Sequence, residues 1–365
     1  MFSNFFNKAY AAPRYVKLAL SLEWRHKNPR GALNFVHNAL SLLTRPAKIQ
    51  NHFMVAQIEP TVNCNLNCAH CEHDKNIIGA TMKFEQFQQI IDQLPHLRQI
   101  TLTGRGEGFL NKDIFSMIRY AKKRKIYVRM TSNGVLLTPF ICNRIMEAGL
   151  DELRVSIDSA HPDHFRKIRG DADLDAIIHN IEYLNSLRWK KNKKSLTVEF
   201  NTVLFSENVH ELEDIIRLAH RVKVDAVFAF GLLPKAGTLL ALKENQLVTL
   251  NKNLIQTTFD RARRLANDLS MPLRLPNDSR APKNDCYVPW LDFYVTYDGY
   301  ILPCCMATQI PYLENKMAEY ALGNIFKEPW HDIKNNQKFM GFRRALNGNK
   351  IPKMCHGCNI LDGTF

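Results

Sequence analysis

Met54-Val55-Ala56-Gln57-Ile58-Glu59-Pro60 runs almost directly into Cys64-Asn65-Leu66-Asn67-Cys68-Ala69-His70-Cys71, and the order of these two pieces decides the fold. The first piece is an apolar run that reads as a short buried strand ended by Pro60. The second sets three thiols, Cys64, Cys68 and Cys71, in a loop leaving the end of that strand. Iron–sulfur clusters normally take four Cys ligands and structural zinc takes four N/S ligands, so a set that stops at three leaves a position open for chemistry. A zinc knuckle completed by His73 or His52 is the other reading of this segment alone.

Outward from the loop, strand and helix periods alternate as in repeated βα units, which predicts an α/β fold with a parallel sheet or barrel. Strands are predicted near 54–59, Gln99 to Thr103, Ile126 to Thr131, Glu152 to Ile157, Leu196 to Leu204 and Asp225 to Phe230. The helices between them carry apolar stripes, such as Phe84, Phe87, Ile90, Ile91 and Leu94, or Leu212, Ile215, Ile216 and Leu218 behind an Asn208 cap. Cys142, in an apolar helical pattern, reads as a small buried hydrophobe. In parallel αβ barrels chemistry gathers at the C-terminal strand ends. Here Gly104-Arg105-Gly106-Glu107 follows the second strand, Thr131-Ser132-Asn133-Gly134 the third, and Ser156-Ile157-Asp158 closes the fourth. A zinc knuckle has no reason to sit amid such polar strand ends.

A second cysteine group lies near the C-terminus: Cys286, Cys304-Cys305, and Cys355-His356-Gly357-Cys358. Four thiolates close either an iron–sulfur cluster or a zinc site. Tyr297-Asp298-Gly299-Tyr300 reads as a hairpin turn between them.

The Cys-x3-Cys-x2-Cys spacing, with His70 before the last Cys, resembles the signature of the radical S-adenosylmethionine (radical SAM) enzymes. The resemblance implies a partial (β/α)6 TIM-like barrel and a [4Fe–4S] cluster on Cys64, Cys68 and Cys71 whose open iron chelates S-adenosylmethionine. It also implies reductive cleavage of that cofactor to a 5′-deoxyadenosyl radical, which removes hydrogen from a substrate carbon. Gly106 and Glu107 resemble the family's Gly-Gly-Glu element, with Gly108 where Pro is usual, and a carboxylate there suits the cofactor's ammonium. Thr131 and Asn133 resemble its Thr-Asn-Gly turn, and Ser156 the serine that meets the sugar or methionyl part. Arg169 resembles the arginine that pairs with the cofactor's carboxylate, with Arg166 as alternative. Cys286, Gly299 and Cys304 follow the pattern of the SPASM extension, which carries an auxiliary [4Fe–4S] cluster. Cys286, Cys304, Cys355 and Cys358 make one complete set, with Cys305 as alternative to Cys304, similar to the shortened "twitch" version of that extension. Two [4Fe–4S] clusters and S-adenosylmethionine are thus the implied cofactors, and a flavodoxin- or ferredoxin-type protein the implied electron donor.

The resemblance divides the chain into a basic, aromatic-rich helical leader (1–50), the barrel (51–235), a helical connector (236–284) and the auxiliary-cluster domain (285–365). It also implies an oxidoreductase whose auxiliary cluster takes the second electron. Oxidation of a sugar or cyclitol alcohol is the expected reaction, and modification of a ribosomally made peptide or protein the alternative. Arg105, Asp158 and Tyr294 are within reach of a substrate if the barrel closes, and no catalytic base can be named.

Composition narrows the class. A chain of 365 residues, 45% hydrophobic, buries a full core. No 18-residue apolar run and no cleavable signal pattern occur, and nine cysteines, eight of them in two groups at ligand-like spacings, point to metal in a cytoplasmic protein. Half of the net charge of +14 lies in residues 1–50, with eight Lys/Arg against Glu23 alone. That leader suits either packing on the main domain or contact with an anionic membrane surface. The charge, with Trp189 among lysines, would also suit a metal-stabilised nucleic-acid binder, but no nucleic-acid motif accompanies it.

Overall fold

The computed structural model describes residues 29–71, 79–190, 195–232, 247, 250–276, 286–348, 350–356 and 358. His73, Gly357, the lysines at 191, 193 and 194, most of the leader and much of the connector lie outside them. Helix α1 (Pro29–Thr44) precedes strand β1 (Val55–Ile58), and six βα units follow. Their elements are α2 (Phe84–Asp92), β2 (Gln99–Leu102), α3 (Ile114–Lys123), β3 (Tyr127–Ser132), α4 (Pro139–Ala148), β4 (Glu152–Ser156), α5 (Pro162–Arg169), α6 (Leu174–Lys190), β5 (Thr197–Leu204), α7 (Leu212–Arg221), β6 (Ala226–Gly231), α8 (Lys252–Asp268) and β7 (Leu273–Arg274).

Strands β1 to β7 pair in parallel and in sequence order. The six expected strands are all present, and the two-residue β7 adds a seventh. Each strand alternates. Val128, Met130, Leu153 and Val155 face the helices and are fully buried in the main core. Arg129, Glu152, Arg154 and Glu199 share the opposite, inner face and pair at 2.6–3.0 Å, Arg129 with Glu152 and Arg154 with Glu199 across strands and Arg154 with Glu152 along β4. Period-two alternation thus gives a helix-covered wall outside and a charged lining inside.

Local signals explain where the helices begin and end. Thr138 Oγ1 accepts the Ile141 N–H at the start of α4, where Pro139 fills the first turn, and Gly149 ends the helix with φ of +78°. Asn208 behaves differently from a helix cap: Val209–Glu211 form a short 3-10 turn, and Glu211 occupies the position before α7. The Asn208 amide instead donates to the Asp158 and Val203 carbonyls and its oxygen accepts from Phe205 N, so it ties the ends of β4 and β5 together. Cys142 is buried and donates to the Leu137 carbonyl.

The C-terminal region does not form a separate layer. After α9 (Val288–Leu291), strand β8 (Tyr294–Val295) pairs in parallel with β1, and β9 (Tyr300–Leu302) and β10 (Gly323–Asn324) continue the sheet antiparallel. The turn between β8 and β9 is the expected one, with Gly299 at φ of +88°. One sheet of ten strands results, ordered β10-β9-β8-β1-β2-β3-β4-β5-β6-β7, and it does not close on itself. Phe53, Phe293 and Trp330 stack behind the β1–β8 seam, with 4.2 Å between the Phe293 and Trp330 rings. Short helices α10 (Gln309–Leu313), α11 (Met317–Tyr320) and α12 (Trp330–Ile333) and the longer α13 (Gln337–Asn347) complete this region. Arg343 of α13, fully buried, donates to the carbonyls of Ala47, Pro289 and Lys334 and so fastens the segment before β1.

Candidate active site

The cysteine loop leaves β1 and is held from three sides. Glu107 N donates to the Asn63 carbonyl at 2.8 Å, and a Cβ on Gly106 would lie 2.3 Å from that oxygen, so only glycine lets the two loops touch. Ala69 N donates to the Ile168 carbonyl, and Gly170, at φ of +62°, lies so close that a Cβ would sit 2.3 Å from the Asn67 oxygen. Asn133 Nδ2 donates to Asn65 Oδ1 at 2.8 Å and stands 4.0 Å from Cys64 Sγ. The loops after β2 and β3 and the C-terminal end of α5 therefore converge on the cysteine loop.

The buried Glu107 carboxylate points into the protein. It accepts from Ser132 Oγ (3.1 Å), Phe109 N (3.2 Å) and Asn133 N (2.7 Å), which makes it a brace between the β2 and β3 loops. Burial raises its pKa, and these donors pull it back. Thr131 N donates to Thr103 Oγ1. Ser156, at the end of β4, sits beside Asn201 of β5 in register. Arg169 meets an internal carboxylate: its Nη2 lies 2.6 Å from Asp158 Oδ2, and its Nη1 stands 3.9 Å from Cys68 Sγ. His70 Nε2 reaches the same Asp158 oxygen at 3.7 Å. Arg166 is half-exposed and faces Asp163, away from the loop.

Sequence reasoning passed over Glu59 as a site residue. It follows β1, is fully buried, and accepts from Arg105 N (2.9 Å), Tyr294 Oη (2.8 Å) and Tyr312 Oη (2.9 Å). The Arg105 guanidinium stacks on the Tyr312 ring at 3.8 Å. A Cβ on Gly104 would lie 2.2 Å from Glu59 Cγ. The cysteine-loop end of the barrel and the C-terminal hairpin thus share one carboxylate. Arg105 and Tyr294 serve this joint, and Asp158 serves the pair with Arg169.

Burial pushes the Cys64 thiol up to about 11, with Glu107, Cys68 and Cys71 adding to it, and burial raises Cys68 against the opposing pull of Arg169. In the second group, Cys304 is raised by burial, then by Cys305, Cys286 and Cys355, and Cys355 by burial, then by Cys286 and Cys358. Cys304 thus has Cys305 and Cys286 near it and Cys355 has Cys286 and Cys358, while Cys305 is exposed. Among the described residues no three His, Cys, Asp or Glu side chains lie close enough to hold a single metal ion.

Two family models match this chain. Residues 58–219 match the radical SAM superfamily and residues 286–359 the SPASM iron-sulfur cluster-binding domain. The chain is a radical SAM enzyme with a SPASM domain. It is 24% identical to a tungsten-containing aldehyde ferredoxin oxidoreductase cofactor-modifying protein of Pyrococcus furiosus, over 84% of this chain and 87% of that protein. It is also 24% identical to a PqqA peptide cyclase of Granulibacter bethesdensis, over 82% of this chain and 78% of that enzyme. Streptococcus suis SuiB shares its fold, with a TM-score of 0.66 and 13% identity over 87% of this chain and 73% of SuiB.

The residues of this radical SAM enzyme fit the groups its two domains imply. Three thiols on a loop seated where the parallel strands end suit a cluster that keeps one iron open. The inner strand ends around them, Thr131, Ser156 and Asn201, offer neutral hydrogen-bonding groups for a zwitterionic cofactor.

Proposed function

We propose that this radical SAM enzyme modifies a ribosomally made peptide or protein, using S-adenosylmethionine on a [4Fe–4S] cluster held by Cys64, Cys68 and Cys71, with a second cluster held by Cys286, Cys304, Cys355 and Cys358. When bound, the first cluster supplies the electron that splits the cofactor into methionine and a 5′-deoxyadenosyl radical. Around it, Gly106 lets the backbone approach closely, Asn133 orients the cysteine loop through Asn65, and Ser156 and Thr131 present hydroxyls to the cofactor. Arg169, fixed by Asp158, keeps positive charge beside Cys68.

The observation that carries the peptide reading is the similarity to a PqqA peptide cyclase over 82% of this chain. The sheet adds a physical argument, because among the described residues it ends at β7 and β10 without closing, and an extended chain could reach the inner face between them. Oxidation of a sugar or cyclitol alcohol gains no comparable support among the relatives.

The test is incubation of anaerobically reconstituted, reduced enzyme with S-adenosylmethionine and short peptides encoded beside its gene. A change in peptide mass that requires the cofactor supports the reading. Turnover of a sugar alcohol to a ketone, with no change in any such peptide, overturns it.

A further inference from the structure

Asp292 stands at the foot of the barrel's inner face. It precedes β8 in extended backbone, so its side chain falls on the same side as Tyr294 two residues on. Tyr294 is level with Gln57, Thr101 and Arg129 through the register of β8, β1, β2 and β3. Asp292 is therefore one inner layer below Arg129, whose charge acts on it. It lies two layers below Thr131, a depth of about 13 Å at 3.3 Å per residue.

Asp292 Oδ1 accepts from Phe293 N at 2.7 Å. Among the described residues Oδ2 accepts from nothing, and the carboxylate makes no ion pair. The charges above it answer one another. Arg129 donates to Glu152 through Nε and Nη2 at 2.6 and 2.9 Å, and Arg154 Nε lies 2.9 Å from Glu152 and 3.0 Å from Glu199. Arg274 is exposed on the edge strand β7, over the Phe228 ring. Two arginines against two glutamates cancel inside, which leaves Asp292 uncompensated.

Surrounding protein pushes the Asp292 carboxyl up to about 7, against the pull of Phe293 N and Arg129, yet the side chain is only half-buried. A group ringed by protein and still reached by solvent lines a concave space. The layers above it agree: Gln57, Thr101 and Arg129 are half-buried, while Ala56, Ile100 and Val128 on the outer face are fully buried. In a closed barrel such inner layers fill the core, and here they line a lumen.

We propose that Asp292 anchors a cationic group of the substrate at the foot of this lumen, while the adjoining part of the substrate stays near the cysteine loop. That the cation is the ammonium of a lysine or the guanidinium of an arginine rests on the peptide reading above. A carboxylate held away from water without a partner is costly, and a cation that enters with the substrate supplies one. The stems of lysine and arginine suit the depth, because their methylenes can pass the Arg129 layer with the charge leading. A neutral side chain would leave the carboxyl to take up a proton instead.

Equilibrium dialysis against the full-length reconstituted enzyme loaded with S-adenosylmethionine tests this with two sets of probes. One set is n-butylammonium and n-butanol. The other is capped pentapeptides Gly-Gly-Xaa-Gly-Gly in which Xaa is lysine, arginine, glutamine or norleucine. The cationic member of each set should bind roughly tenfold more tightly than its neutral counterparts. Asp292→Asn still accepts from Phe293 N and so keeps the local fold, and it should abolish that preference, whereas Asp292→Glu should keep part of it. A preference that Asp292→Asn leaves intact overturns the proposal, and so does a starting enzyme that shows none, including one that fails to bind butylammonium. Failure of the peptide reading looks different: butylammonium would still bind through Asp292 while none of the pentapeptides bound, and the anchor would stand for a smaller amine.

Discussion

Arg169 bridges Asp158 and Cys68, with its Nη2 2.6 Å from the carboxylate and its Nη1 3.9 Å from the thiol, so the end of α5 and the cysteine loop are joined by a buried charge. Asp158 is fully buried and its other oxygen accepts from Val203 N at 2.8 Å. Removing one member of such a pair leaves a charge without compensation, at a cost of about 3–5 kcal/mol. Asp158→Ala should therefore lower the unfolding free energy of the apoprotein by about that amount. The double variant Asp158→Leu, Arg169→Met should recover much of the loss, and its iron content and rate of 5′-deoxyadenosine formation should still fall, because Cys68 loses its cation. Chemical denaturation alongside iron analysis checks both halves.

Glu59 plays the same part between the barrel and the C-terminal hairpin. Glu59→Ala strands the Tyr294 and Tyr312 hydroxyls and the Arg105 N–H, and each buried unmet group costs about 1–3 kcal/mol. A drop of about 3 kcal/mol or more is expected, with loosening of the Arg105 loop. Glu59→Gln, which retains an acceptor, should lose less than half of that. Hydrogen exchange of residues 103–110 and 294–302 reads the effect directly: faster exchange in both segments of the alanine variant, and in neither for the glutamine variant.

Much of the barrel was legible because its strands and helices are set by local periodicity and its loops by short motifs at strand ends. Residues whose partners lie far along the chain were not. Glu59 reads as the last residue of a strand, and nothing nearby announces donors 235 and 253 positions away. Strands β7 and β8 are two residues each, too short for alternation to show, and exist because β6 and β1 offer free edges. Asn208 looked like a helix cap because Asn before an apolar stripe usually is one, yet its amide was claimed by the β4 and β5 ends.

The inner-face charges predict how the protein meets acid. Burial alone would raise the Glu152 pKa, but hydrogen bonds and charge from Arg129, then the charge of Arg154 and a bond from Tyr127, outweigh it and hold the group at about 2. The unfolded value is 4.5, so the folded pKa is depressed and the stabilisation is fully present above pH 4.5. It is lost as pH falls from there toward 2, a change of roughly 3 kcal/mol. Glu152→Gln should be less stable at neutral pH and show a flatter fall through this window. A series of denaturation midpoints from pH 5 to pH 3, taken as an approximate working range, checks it; parallel curves for the two proteins would refute the assignment.

Cys304 and Cys305 are adjacent in sequence but differ in place. Cys304 is raised in pKa by burial, then by Cys305, Cys286 and Cys355, whereas Cys305 is exposed. A [4Fe–4S] cluster takes four thiolates, so with Cys304 as one of them Cys304→Ala should remove one cluster and Cys305→Ala should spare it. With two four-iron clusters the reconstituted enzyme should bind about eight irons, Cys304→Ala about four, and Cys305→Ala about eight again. Cys68→Ala should also bind about four, from the other site. Cys304→Ala should still release 5′-deoxyadenosine from S-adenosylmethionine, because its first cluster is intact, and Cys68→Ala should not. Zinc in place of iron at the C-terminal set would leave the starting enzyme at about four irons, with metal analysis showing one zinc per chain.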